Sequence, residues 1–175
     1  KLYFEVTEEE NIIFQSLGSA FWPGPLTMIV KAGKMIPLKV TANTGFVGIR
    51  CPSHNIARQL LTKANIPIAA PSANKSGYIS STKANHVFDS FKKKIDLIID
   101  SGQSDFGLES TIIDLSSNKI ILRRPGVIDI KSLEVFVGRK IYELKKNTKN
   151  PNSPGQFLRH YSPATPLKLN VKLPE

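Results

Sequence analysis

A chain of 175 residues, 41% of them hydrophobic, can bury a core and reads as one soluble α/β domain with an appendage. Its 24 Lys and Arg against 14 Asp and Glu give a net charge of +10, which suits nucleic acid or anionic nucleotides and equally describes a solvated basic surface. The single cysteine, Cys51, excludes an intrachain disulfide and fits a reducing, cytoplasmic setting, and no stretch resembles a membrane span, a secretory signal, a zinc finger or an RNA-binding sheet signature.

Thr7 and Glu10 have capping-box spacing, and Ile13, Leu17, Ala20 and Phe21 recur at helical intervals, so a helix is predicted over 7–21. Trp22-Pro23-Gly24-Pro25 ends it, because proline withholds the backbone N–H, and stiffens the turn into a strand at Leu26-Thr27-Met28-Ile29-Val30. Thr27 at the start of that strand is open to two readings, a β-former or a ligand contact. Phe46 to Arg50 reads as a second strand, after which Ser53 can cap a helix that buries Ile56, Ala57, Leu60, Leu61 and Ala64. Arg50 thus sits at a strand-to-helix junction, placed for a surface ion pair or for a bidentate grip on a carboxylate or phosphate.

Pro67-Ile68-Ala69-Ala70 is predicted to be a strand that runs into Pro71-Ser72-Ala73-Asn74-Lys75-Ser76-Gly77. Small polar residues at a strand end make a plain turn, or let a ligand lie against the backbone where open α/β sheets bind them. Thr82 can start a helix with Val87, Phe88 and Phe91 on one face, and Ile95 to Ile99 reads as a strand buried on both faces. In the polar loop that follows, Gly102 and Gly107 imitate the opening of a P-loop. Leu108-Glu109 stands where Gly-Lys is needed, which excludes a P-loop NTPase.

Ile112 to Leu115 and Lys119 to Arg123 form a predicted hairpin closed by Arg124-Pro125-Gly126, and a last helix over 129–137 stops at Gly138. The domain therefore spans 1–138, and the Lys-, Asn-, Pro- and Ser-rich stretch 139–175 has linker composition. Arg159, His160 and Tyr161 within it are more than a tether needs and fit a segment that returns to bind something.

Strand ends thus carry Arg50, Ser72 with Asn74, Ser110 and Arg124, a set suited to a phosphate, an amino-acid carboxylate or both. His54 and His86 lack metal-ligand spacing, there is no Gly-x-Ser-x-Gly elbow, and no residue stands out as general acid, base or nucleophile. An enzyme built this way works by positioning and electrostatic stabilisation.

Trp22-Pro23-Gly24-Pro25-Leu26-Thr27, Gly48-Ile49-Arg50, the stretch from Pro67 to Asn74, Gly107-Leu108-Glu109-Ser110-Thr111-Ile112 and Leu122-Arg123-Arg124-Pro125-Gly126 together resemble the YrdC-type threonylcarbamoyl-AMP synthases. Ser153-Pro154-Gly155 and Arg159-His160-Tyr161-Ser162-Pro163 are similar to the linker of the longer, two-domain members. The resemblance implies a twisted mixed sheet with flanking helices around a central ligand cavity. It implies an enzyme that condenses L-threonine, bicarbonate and ATP to threonylcarbamoyl-AMP with release of pyrophosphate, feeding a downstream tRNA-modifying threonylcarbamoyl transferase. Thr27, Arg50, Ala70 and Ser110 match positions around L-threonine; Phe46, Ser72, Asn74, Ser80 and Arg124 match positions around ATP; and Arg159, His160 and Tyr161 match a lid over the site. Magnesium is expected with ATP, without a dedicated carboxylate cage. The chain departs from the family before its Trp-Pro-Gly-Pro turn, where a Thr-Glu-Thr-Val-Tyr-Gly-like strand and a phosphate-gripping Lys-x-Arg motif are missing. A chain that starts at Lys1 is therefore expected to be an N-terminally truncated form, weakly active or inactive alone. The alternative is an RNA-binding or regulatory module on the same fold.

Overall fold

The computed structural model describes residues 4–5 and 8–143. Six strands alternate with four helices: β1 (Phe4–Glu5), α1 (Glu8–Phe21), β2 (Leu26–Ala32), β3 (Phe46–Ile49), α2 (Asn55–Ala64), α3 (Ala84–Phe91), β4 (Thr111–Asp114), β5 (Ile121–Arg124), α4 (Ile130–Val137) and β6 (Tyr142–Glu143). The strands form one mixed sheet in the order β1-β2-β4-β5-β6, with β3 paired to β2. β2 runs parallel to β4 and antiparallel to β1 and β3. None of the helices among the described residues is long and apolar enough to cross a membrane.

β2 is the organising strand because its sequence alternates. Leu26, Met28 and Val30 are fully buried, whereas Thr27 and Ile29 between them are half-buried, the two-residue period of a strand with unlike faces. Phe14 and Leu17 of α1 and Leu133 of α4 pack with Ile113, Leu115, Ile120 and Ile141 to complete the core. Phe21 meets Phe136 edge to face at 5.3 Å, which ties α1 to α4. α4 stops at Gly138 as its sequence predicts, with that glycine in the left-handed conformation at φ 64°, and at its start the Asp129 side chain accepts from the Ser132 N–H. The packed chain continues beyond Gly138, since Ile141 is buried and β6 pairs in parallel with β5.

Four expectations are corrected. The stretch 67–70 is not a strand, and neither is 95–99; both are irregular, without a sheet partner among the described residues. Ile68 and Ile99 are about half exposed, and Leu97 is 78% exposed, so a strand buried on both faces does not exist there. Strand propensity describes side chains that fit a pleated, half-buried surface, and without a neighbouring strand the backbone has no ladder to join. The buried-on-both-faces signature belongs instead to β4, where Thr111 to Asp114 are all buried. α2 and α3 form where the periodicity predicts, but neither buries a residue; His54 rather than Ser53 occupies the first cap, and Lys83 rather than Thr82 the second. The hydroxyl and N–H of Thr82 turn to the His86 ring instead. Thr7, the expected cap of α1, lies outside the described residues.

Candidate active site

The site grows from the turn that ends α1. The Trp22 indole N–H donates to the Leu26 carbonyl at 2.7 Å, the Gly24 N–H to the Cys51 carbonyl beyond β3, and the Thr111 N–H at the start of β4 to the Pro25 carbonyl. A Cβ at residue 24 would collide with the Phe21 carbonyl oxygen, so this turn requires glycine. The turn thereby fixes the starts of β2 and β4 side by side, with Thr27 opposite Ile112.

That register brings Thr27 against Ser110. Their hydroxyls share a hydrogen bond of 2.8 Å, and Ser110 is only 3% exposed. Gly48 of β3 lies on Thr27's other side, where a Cβ would come within 3.2 Å of the Thr27 methyl. Arg124, the last residue of β5, pairs with Ile112 at an irregularity in the β4–β5 ladder, and such bulges re-aim side chains. Its Nε and Nη2 donate to the Ser110 carbonyl at 3.1 and 3.0 Å, and Nη2 also donates to the Ser110 hydroxyl at 3.0 Å. Nη1 forms an ion pair with Oε2 of Glu109, whose Oε1 accepts from the Ser80 hydroxyl at 2.6 Å. One hydrogen-bonded chain thus runs Thr27, Ser110, Arg124, Glu109, Ser80.

Gly126 seals this arrangement from behind. A Cβ there would collide with the Glu109 carbonyl oxygen and the Thr111 nitrogen. The Thr111 hydroxyl donates to the Ile128 carbonyl at 2.7 Å and accepts from the Ile128 N–H at 3.0 Å, clamping 109–111 to the chain that leaves β5.

Four of the sequence-predicted residues are therefore linked, Thr27, Ser110 and Arg124 directly and Ser80 through Glu109. The others take separate places. Phe46 opens β3 with 43% of its surface exposed, Arg50 follows β3 and is exposed, and Ala70 and Ser72 lie exposed on the irregular stretch before Asn74. The Asn74 amide donates to the carbonyls of Lys75 and Tyr78, both at 2.9 Å, while its Oδ1 is buried with no partner among the described residues. Arg159, His160 and Tyr161 lie outside the described residues. Glu109 was not predicted as a site residue, although its place beside Ser110 and its reach to a cation on the next strand were the available signals. Among the described residues no three acidic, imidazole or thiol groups gather to hold a metal ion.

The Sua5/YciO/YrdC family model, described as telomere recombination, matches residues 2–126. The chain belongs to the Sua5/YciO/YrdC family. Among members of this family, it is 39% identical over 163 residues to the threonylcarbamoyl-AMP synthase of Pyrococcus abyssi, covering 91% of this chain and 47% of that protein. The corresponding enzymes of Bacillus subtilis and Schizosaccharomyces pombe are 38% and 33% identical, with 92% and 93% of this chain covered against 47% and 43% of theirs. The crystal structure of Pyrococcus abyssi Sua5 complexed with L-threonine superposes with a TM-score of 0.85 at 37% identity, over 93% of this chain and 48% of that one. Escherichia coli YciO matches at 0.65 and 28% identity, over 75% of this chain and 62% of that one. The chain spans about half the length of these curated relatives.

Proposed function

We propose that this Sua5/YciO/YrdC domain serves a threonylcarbamoyl-AMP synthase, which joins L-threonine, bicarbonate and ATP and releases pyrophosphate. The observation that carries the reading is the Thr27–Ser110 hydroxyl pair held at 2.8 Å beneath the Arg124 guanidinium. Two hydroxyls beside a fixed cation make a compact receptor for a small polar substrate next to an anionic one. The Pyrococcus abyssi relative, whose structure holds L-threonine, supports assigning the hydroxyl side to the amino acid.

In this reading Thr27, Ser110, Arg50 and Ala70 surround L-threonine, with Arg50 on its carboxylate. Phe46, Ser72, Asn74, Ser80 and Arg124 surround ATP. The net reaction forms a bond from the threonine nitrogen to the bicarbonate carbon with loss of water. It also forms a bond from a carboxyl oxygen of that carbamate to the α-phosphorus of ATP, and breaks the bond from that phosphorus to the oxygen of pyrophosphate. In this reading the domain acts by holding the reactants and stabilising phosphate charge, with Arg124 as the cation. Magnesium would arrive on the ATP phosphates. The residues after β6 act as a linker in which Arg159, His160 and Tyr161 form the lid, and the cytoplasmic product passes to a tRNA-modifying threonylcarbamoyl transferase.

Pyrophosphate release by the full protein tests the reading. Release that requires L-threonine, bicarbonate and ATP together is the expected result; release that is indifferent to L-threonine, or none, rejects it.

A further inference from the structure

We propose that Glu109 is a positioning residue that couples the amino-acid half of the site to the nucleotide half, by holding Arg124 with one carboxylate oxygen and Ser80 with the other. The proposal rests on the functional reading above and goes one step further, since it concerns how the two pockets communicate.

The geometry divides the labour cleanly. Oε2 of Glu109 is paired with Nη1 of Arg124, and Oε1 accepts from the Ser80 hydroxyl at 2.6 Å across 29 residues of sequence. Ser80 belongs to a loop whose neighbours bond elsewhere: Ser81 donates to the Ala73 carbonyl at 2.8 Å, and Ser104 bonds the Thr82 carbonyl. Glu109 therefore links that loop to the sheet. Both charged side chains are largely shielded, with Arg124 13% and Glu109 22% exposed, so the pair acts with less screening than a surface salt bridge.

Arg124 has little freedom left. A guanidinium has five N–H donors. One is on Nε, directed to the Ser110 carbonyl; two are on Nη2, directed to the Ser110 carbonyl and hydroxyl; and one of the two on Nη1 is directed to Glu109. Among the described residues the remaining Nη1 donor has no partner, and an incoming phosphate could take it without breaking a bond. Its direction is set by the bond that Glu109 makes to the same nitrogen. On the other side, Nη2 of Arg124 touches the same Ser110 hydroxyl that bonds Thr27. A ligand that engages Ser110 and Thr27 thus reorders donors on Arg124, and a ligand that engages Arg124 or Ser80 pulls on Glu109. Occupancy of one pocket then changes the affinity of the other, reciprocally, through this chain.

The test measures L-threonine affinity by calorimetry on the full protein, with and without saturating α,β-methylene-ATP, for the parent protein and for Glu109→Gln and Ser80→Ala. The amide is close in shape to the carboxylate but carries no charge for Arg124, and Ser80→Ala removes the other arm. The parent is expected to bind L-threonine at least about fivefold more tightly when the nucleotide analogue is present. In both variants that ratio should fall towards one with the analogue shown by direct titration to saturate each variant, while the L-threonine affinity of Glu109→Gln without nucleotide stays within about twofold of the parent's. A parent ratio near one, or a variant that folds, binds both ligands and keeps the parent ratio, overturns the role of Glu109 and leaves the functional reading standing. Failure of the parent to bind either ligand overturns the functional reading and this proposal with it. If Glu109→Gln does not fold, as judged by thermal melting, Glu109→Asp, which keeps the charge but is too short to hold both partners, decides in its place.

Discussion

Thr27 is where two explanations of one side chain can be separated by one substitution. Its β-carbon branching fits a strand, and its hydroxyl bonds Ser110 at 2.8 Å. Thr27→Val keeps the first property and removes the second. It is expected to leave the melting temperature within a few degrees while weakening L-threonine binding roughly tenfold, the worth of about one hydrogen bond with an unsatisfied partner left behind. Calorimetric titration beside a thermal melt reads both. Asp114 is expected to do the opposite. It is 3% exposed, takes Nε and Nη2 of Arg123 at 2.8 and 2.5 Å on one oxygen, and accepts the Ser116 N–H and hydroxyl on the other. Asp114→Ala removes the buried carboxylate that Arg123 and Ser116 share, and urea denaturation should show a loss of about 3–5 kcal/mol.

At the scale of elements, the stretch leaving β5 is shaped to fit the one entering β4. Gly126→Ala should force the two apart, because the colliding atoms are backbone and cannot rotate away. An overpacking cost of about 1–3 kcal/mol is expected in denaturant melts, together with weaker L-threonine binding from a displaced Ser110. α4 carries a pH-dependent end. The Ser132 hydroxyl, then its N–H, hold the Asp129 carboxyl below its ordinary 3.8 against a small opposing effect of burial. A lowered carboxylate pKa stabilises the fold above that ordinary value and stops doing so as pH falls through the lowered one. Stability should therefore decline more steeply in acid for the parent than for Asp129→Asn, as read by melts between about pH 5 and 2. Much of this was legible beforehand. The alternation in β2, the apolar run in β4, and the closing glycine of α4 are local patterns, and local patterns survive into the structure. The stretches 67–70 and 95–99 carry the same residue types and did not become strands, because pairing is a property of two segments and only one was in view. The same limit hid Glu109. Within its own neighbourhood it is the residue that spoils a P-loop, and its meaning comes from Arg124 and Ser80, 15 and 29 residues away.

Taken whole, the molecule is lopsided. α1, α4 and the sheet enclose the core, whereas α2 and α3 bury no residue, and Leu60, Ile66, Phe88, Leu97 and Leu108 stand exposed between 55 and 108. The site lies across that divide: Thr27, Ser110 and Arg124 belong to the enclosed side, and Ser80 to the open one. Amide hydrogen exchange should make the difference visible, with β2 and β4 exchanging only through global unfolding and 66–108 through cheaper local openings. L-threonine with the nucleotide analogue should slow exchange across 66–108 more than in β2 or β4. Equal slowing throughout would mean that both sides open as one unit. The hydrogen bond between Ser80 and Glu109 then has a kinetic meaning beyond its geometry: it is a latch that ties a slow-breathing frame to a fast-breathing flap, and substrate would set the tempo of the flap.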